Sequence, residues 1–186
     1  MNESQNPSAL RSKQEITDAL LKLMEQYPYS EISVKQIVLE SGLVRKTFYR
    51  NYSSKDDVLN AYINSAIREY VGGLLEHPED PMGVIFSFCE KNRKLLELLN
   101  RNRLLYLLLL RLNEEIPRLS KNVDMSRNPF AHLMEGMEPD YLIAFNIGAI
   151  WNVIFKWVER GMEEPLDYVR STLEEYLRRM SQRTES

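Results

Sequence analysis

Ser33-Val34-Lys35-Gln36-Ile37-Val38-Leu39-Glu40-Ser41-Gly42-Leu43-Val44-Arg45-Lys46-Thr47-Phe48-Tyr49-Arg50-Asn51-Tyr52-Ser53-Ser54-Lys55-Asp56-Asp57 is the stretch on which the fold turns. Ser33 and Gln36 stand in capping-box register, so a helix starts there, with Ile37 and Val38 on its buried side. Gly42 stops that helix by supplying the left-handed residue a tight exit needs. A third short helix is expected from about Arg45 to Arg50. Ser54 and Asp57 then cap a long fourth one, striped by Val58, Leu59, Tyr62, Ile63, Ala66, Ile67 and Tyr70.

Upstream, Ile16, Leu20, Leu23 and Tyr27 fall on one helical face, with a Ser12/Glu15 capping pattern at the start and a possible earlier beginning near Pro7; Pro28 ends the helix. Downstream, Gly72-Gly73 and residues 77–81 break the pattern. Helices are then expected at Pro81 to Lys91, Arg93 to Asn100 and Leu104 to about Ser120, with Pro117 kinking or ending the last. A short helix around Phe130 to Met137 and two long ones, Pro139 to Arg160 and Pro165 to about Gln182, complete the chain. Apolar residues recur at helical spacing from end to end, so the expected class is all-α, with about nine helices. The expected organisation is a three-helix N-terminal domain over 8–71, its helix-turn-helix at about 33–52, and a larger helical domain over 80–184.

Two short helices joined through a glycine, with bases and aromatics on the second, form a helix-turn-helix pattern. Leu43, Phe48 and Tyr52 have the spacing to hold the second helix against its neighbours, which leaves Arg45, Lys46, Thr47, Tyr49 and Asn51 facing outward. Arg and Lys reach guanine O6 and N7, a Thr methyl meets thymine, and Tyr and Thr hydroxyls reach phosphates. Lys55 is expected at a phosphate, because it falls in the first turn of the fourth helix, where backbone N–H groups attract anions. From Gly42 to Lys55 there is no acidic residue.

Ile16 to Leu59, and especially Gly42 through Asp57 with its helix-stop glycine, Thr-Phe-Tyr core and Ser-Lys-Asp-Asp helix start, resembles the DNA-binding signature of the TetR/AcrR family. The resemblance implies an N-terminal reader, a C-terminal effector-binding domain and a homodimer made by the last two helices. It carries recognition to Arg45, Lys46, Thr47, Tyr49 and Asn51, and phosphate contact to Tyr49 and Lys55. Family members often have serine where this chain has Val44. Valine cannot cap, so the recognition helix is expected to start more loosely or one residue later. The segment Trp151 to Gly161 also resembles the C-terminal region of a subgroup containing activators of dihydroxyacetone-kinase operons, some of which respond to a protein partner.

In the C-terminal half, large soft side chains suit an adaptable ligand pocket, and Tyr106, Phe145, Trp151 and Phe155 are its candidates. The same residues also suit a core. Tyr141, Phe145, Leu173 and Tyr176 are the candidate dimer contacts. The leucine-rich run from Arg101 to Leu112 carries leucine on nearly every face, which suits a helix inside a domain.

Function classes narrow further by exclusion. The chain shows no glycine-rich phosphate loop, nucleophile elbow or metal-ligand cluster, so no enzyme, cofactor or metal is expected. Its one cysteine, Cys89, allows no internal disulfide and fits a reducing compartment. Without an apolar leader or a spanning run (Leu104 to Leu110 is too short), the expected location is cytoplasmic, with no membrane partner. The formal net charge is −3, so the basic stretch at Arg45–Lys55 sits in an otherwise acidic chain. A helical adaptor that had lost DNA binding would have no reason to keep it. The expected function is therefore a sequence-specific DNA-binding regulator, a repressor reading a palindromic operator as a dimer. Its effector is a small molecule or a partner protein.

Overall fold

The computed structural model describes residues 7–120, 136 and 138–183. The short helix expected at 130–137 lies outside them, Gly136 apart. Among the described residues the chain is all-α, as its periodicity requires: α1 (Pro7–Gln26), α2 (Val34–Ser41), α3 (Arg45–Asn51), α4 (Lys55–Glu76), α5 (Pro81–Lys91), α6 (Arg93–Arg101), α7 (Leu105–Ser120), α8 (Pro139–Glu159) and α9 (Leu166–Arg183), with a 3-10 turn at Tyr29–Glu31. Two compact units, Met1–Ala66 and Ile67–Ser186, divide inside α4.

In the first unit α1 packs on α2 and α3 through Ile16, Leu20, Leu23 and Met24, all buried at helical spacing. α1 is already helical at Pro7, upstream of Ser12. Ser12 is buried inside the helix, and Glu15 pairs with Arg11 one turn back instead of capping. Tyr27 follows the last helical residue and is exposed. Ser33 and Gln36 form the full capping box at the start of α2.

The second unit has its core at Tyr70, Phe88 and Trp151, three rings in mutual contact, with Phe155 against Trp151, extended by Leu95, Leu99, Leu108, Leu112, Ile154 and Val158. Side chains tie the helix ends to backbone: Asn100 donates to the Val158 carbonyl (3.1 Å), Arg93 to that of Met162 (3.0 Å), and the Trp157 indole to that of Glu164 (2.9 Å).

Three sequence expectations change here. α4 runs straight through Gly72-Gly73. A Cβ on Gly73 would come within 2.9 Å of a Val84 methyl, so this glycine lets α5 approach α4 closely and does not break the helix. α7 continues past Pro117, and only one of its sides is buried: Leu105, Leu108 and Leu112 face in, Tyr106 and Leu110 out. Finally, Asp140–Glu159 in α8 is long and apolar enough to cross a membrane by length and composition, at a mean hydropathy of 1.4, yet only a third of it is buried within the chain.

Candidate nucleic-acid interface

The recognition helix is built by its two ends. Gly42 adopts φ 67°, ψ 9°, and its N–H donates to the Leu39 carbonyl (3.3 Å), closing α2. The chain then extends through Val44, whose carbonyl accepts from Thr47 (2.8 Å) and Phe48 (3.3 Å), so α3 begins at Arg45 with no side-chain cap. At the other end Tyr52 is again extended, and its N–H still donates to the Phe48 carbonyl (2.9 Å). Phe48 is fully buried, edge-on to Tyr49 and tilted against Tyr52. Burying that one ring fixes which side of a two-turn helix faces water.

On the outward side Arg45, Lys46, Tyr49 and Arg50 are exposed, while Thr47 and Asn51 are half-buried. Arg45 donates to the Tyr49 hydroxyl (3.3 Å), and its guanidinium lies 5.5 Å from the Tyr49 ring centre, a pairing that pre-orders both side chains. Asn51 donates one amide N–H to the Thr47 carbonyl (2.9 Å), and its side chain has a second N–H and an acceptor oxygen besides. Arg50 widens the patch. The acid-free run already carried that signal.

Lys55, the residue expected at a phosphate, makes contacts within the chain. Its ammonium donates to the carbonyls of Tyr29 (2.6 Å), Ile32 (2.8 Å) and Ser30 (3.3 Å), and lies 4.6 Å from the Tyr29 ring centre. The next two residues also turn inward. Asp56 accepts from the Tyr29 hydroxyl (2.6 Å), and Asp57 from the Ser53 N–H (2.9 Å) and hydroxyl (3.2 Å). The Asp57 N–H in turn donates to the Ser54 hydroxyl (3.1 Å), so Ser54 and Asp57 cap α4 as their spacing requires.

The four candidate pocket residues separate. Trp151 is 1% exposed and touches Phe155 within the core, whereas Tyr106 and Phe145 point outward. A hollow of about 700 Å³, open to solvent, lies elsewhere, between the second half of α4, the 77–80 connector and α5; Tyr70, Val84 and Phe88 form its apolar side, and Glu69, Glu76 and Lys91 are among its charged walls. The sequence concealed it because Gly72-Gly73 looked like a helix break. Of the candidate dimer contacts, Tyr141, Phe145 and Tyr176 are 79%, 68% and 61% exposed; Leu173 is buried in the chain's own fold.

Residues 16–62 match the family model for bacterial regulatory proteins of the tetR family. Among solved structures the chain is similar to the dihydroxyacetone kinase operon activator DhaS (15% identity, TM-score 0.60, 92% of this chain and 96% of that one). It is equally similar to a TetR transcriptional regulator from Streptococcus agalactiae 2603V (18% identity, TM-score 0.60, 91% and 93%). No curated protein matches it in sequence. At these identities the solved structures speak for the fold, and the region matched by the family model spans the helix-turn-helix described above. Over residues 16–62, the stretch that holds the helix-turn-helix, the chain therefore carries the DNA-binding region of the tetR family of bacterial regulatory proteins.

Proposed function

We propose that the chain acts as a cytoplasmic homodimer that reads a roughly palindromic operator through α3 and represses until an effector releases it. The observation that carries this reading is the outward side of α3. Arg45, Lys46, Tyr49 and Arg50 stand exposed on a helix held by buried Phe48, in a run free of acids. Arg45, Lys46, Thr47, Tyr49 and Asn51 supply donors, a methyl and an amide suited to base edges, and hydroxyls suited to phosphate.

One helix of two turns meets too few base pairs to define a genomic site, so a second copy is needed. The exposed side of α8, with Tyr141, Phe145 and Val153, and Tyr168 and Tyr176 on α9, is apolar surface that a symmetric partner would cover. Effector control falls to the second unit, where the cavity beside α4 and α5 has the size of a small-molecule site. That placement replaces the Tyr106, Phe145, Trp151 and Phe155 pocket expected from composition.

Selection of duplexes from a randomised pool by the wild-type chain tests the reading. Inverted repeats with centres about one helical turn apart are the expected product. Recovery of no common sequence, or of single unrepeated sites, would contradict it.

A further inference from the structure

We propose that Lys55 is a positioning residue that fixes the recognition helix by closing residues 32–55 into a ring, and not a phosphate ligand. Ile32 immediately precedes the Ser33 cap of α2. From there the chain passes through α2, the Gly42 turn, α3 and the Tyr52–Ser54 link before it reaches Lys55. The Lys55 ammonium then returns to the starting point, at the carbonyls of Ile32, Tyr29 and Ser30. A protonated lysine has three N–H donors, and all three are used here. The carbonyls lie in and just after the 3-10 turn Tyr29–Glu31; that of Tyr29 also accepts the Ile32 N–H (3.2 Å), and the ammonium adds a second donor to it. The Tyr29 ring covers another side of the same ammonium.

The link between α3 and α4 is fixed by the same first turn. Asp57 holds the Ser53 N–H and hydroxyl, and Asp56 holds the Tyr29 hydroxyl. Every charge in Lys55-Asp56-Asp57 therefore ties either the exit of α3 or the entry of α2 to the start of α4. A seven-residue helix has few backbone bonds of its own, and its direction is set by what holds its ends. With Lys55 engaged this way, the chain's contacts to phosphate fall to other groups of the basic run. The inference rests on the reading that α3 enters DNA.

The test uses Lys55→Met, which keeps an apolar stem and removes the donors, and Tyr29→Phe, which removes only the hydroxyl bound to Asp56. Each full-length variant is compared with wild type on a duplex selected from a randomised pool by the wild-type chain. Three quantities are read: the DNA-free melting temperature, the affinity well below melting, and the salt slope of binding. Lys55→Met should melt several degrees lower without DNA. At a temperature where it is fully folded it should bind about ten-fold more weakly, the scale of one displaced base contact. Its salt slope should match wild type, whereas a lost phosphate contact would lower the slope by about 0.9. Tyr29→Phe should show the same pattern to a smaller degree, and it carries the test if Lys55→Met does not fold. An unchanged melting temperature with a slope lower by about one contact would restore the phosphate role and overturn the proposal. A lower melting temperature with wild-type affinity would also overturn it, since Lys55 would then only stabilise. Arg45→Ala, run alongside, separates the two levels: if it binds as wild type, the reading of α3 itself fails whatever Lys55 does.

Discussion

Tyr70 of α4 and Trp151 of α8 meet edge to face, ring centres 5.6 Å apart and planes 86° apart, with Phe88 against both. This contact makes Trp151 a core residue. Trp151→Ala should cost about 3–5 kcal/mol in denaturant unfolding, through lost burial and the cavity left behind. Phe145→Ala, on the exposed side of the same helix, should change the unfolding of the isolated chain by no more than about 0.5 kcal/mol. Equal losses from the two would mean that the core is misplaced.

The uncovered side of α8 gives a second expectation. Phe145→Glu places a charge on surface that water already reaches in the single chain, so the fold should survive while association fails. Sedimentation should then show folded monomers that no longer bind operator. Leu173→Glu should instead unfold the chain, because Leu173 is buried within it. A wild-type chain that sediments as a monomer at micromolar concentration would refute the dimer.

Gly42 offers a backbone test with no packing component. Nothing lies within 4 Å of where its Cβ would be, yet its φ of 67° is left-handed. Gly42→Ala should therefore lose about 1–2 kcal/mol from strain alone. Gly42→Asn should lose less, since asparagine tolerates this region better. Chemical denaturation of both variants decides it, and an alanine variant as stable as wild type would mean that the α2 exit is drawn wrongly.

Burial pushes the Cys89 thiol up from an ordinary 9.0 to about 12. The unfolded chain ionises at the lower value, so the stability this thiol contributes is complete below pH 9.0 and is lost as pH rises towards 12. Tyr70, also raised by burial, adds to the alkaline loss in the same sense. Cys89→Ala should show a shallower fall in stability across that range than wild type, measured by urea midpoints. A parallel fall would mean that the thiol does not titrate differently in the two states.

Much of this was legible because it rests on local rules. The Ser33/Gln36 box, the left-handed Gly42 and the Ser54/Asp57 cap are each decided within four residues, and all three occur where the spacing puts them. What the sequence concealed depends on partners distant along the chain. Gly73 resembles a helix breaker until Val84 is seen against it, and Ser12/Glu15 imitates a cap although the helix already runs from Pro7 and Glu15 pairs with Arg11. In the recognition unit, Lys55 has the address of a phosphate ligand, but the carbonyls of residues 29–32, more than twenty positions upstream, already occupy its donors. Leu173 and Phe145 carry equally apolar side chains, and only the packed helices separate the buried one from the exposed one.

The claim on which the rest depends is that α3 reads DNA, and binding by Arg45→Ala and Lys46→Ala tests it most directly. Both side chains are exposed, so each variant should unfold within about 0.5 kcal/mol of wild type. Each should nevertheless lose about 1–3 kcal/mol of discrimination between a selected duplex and one of scrambled sequence. If both variants, shown to be folded, distinguished the two duplexes as well as wild type does, α3 would not be the reading helix.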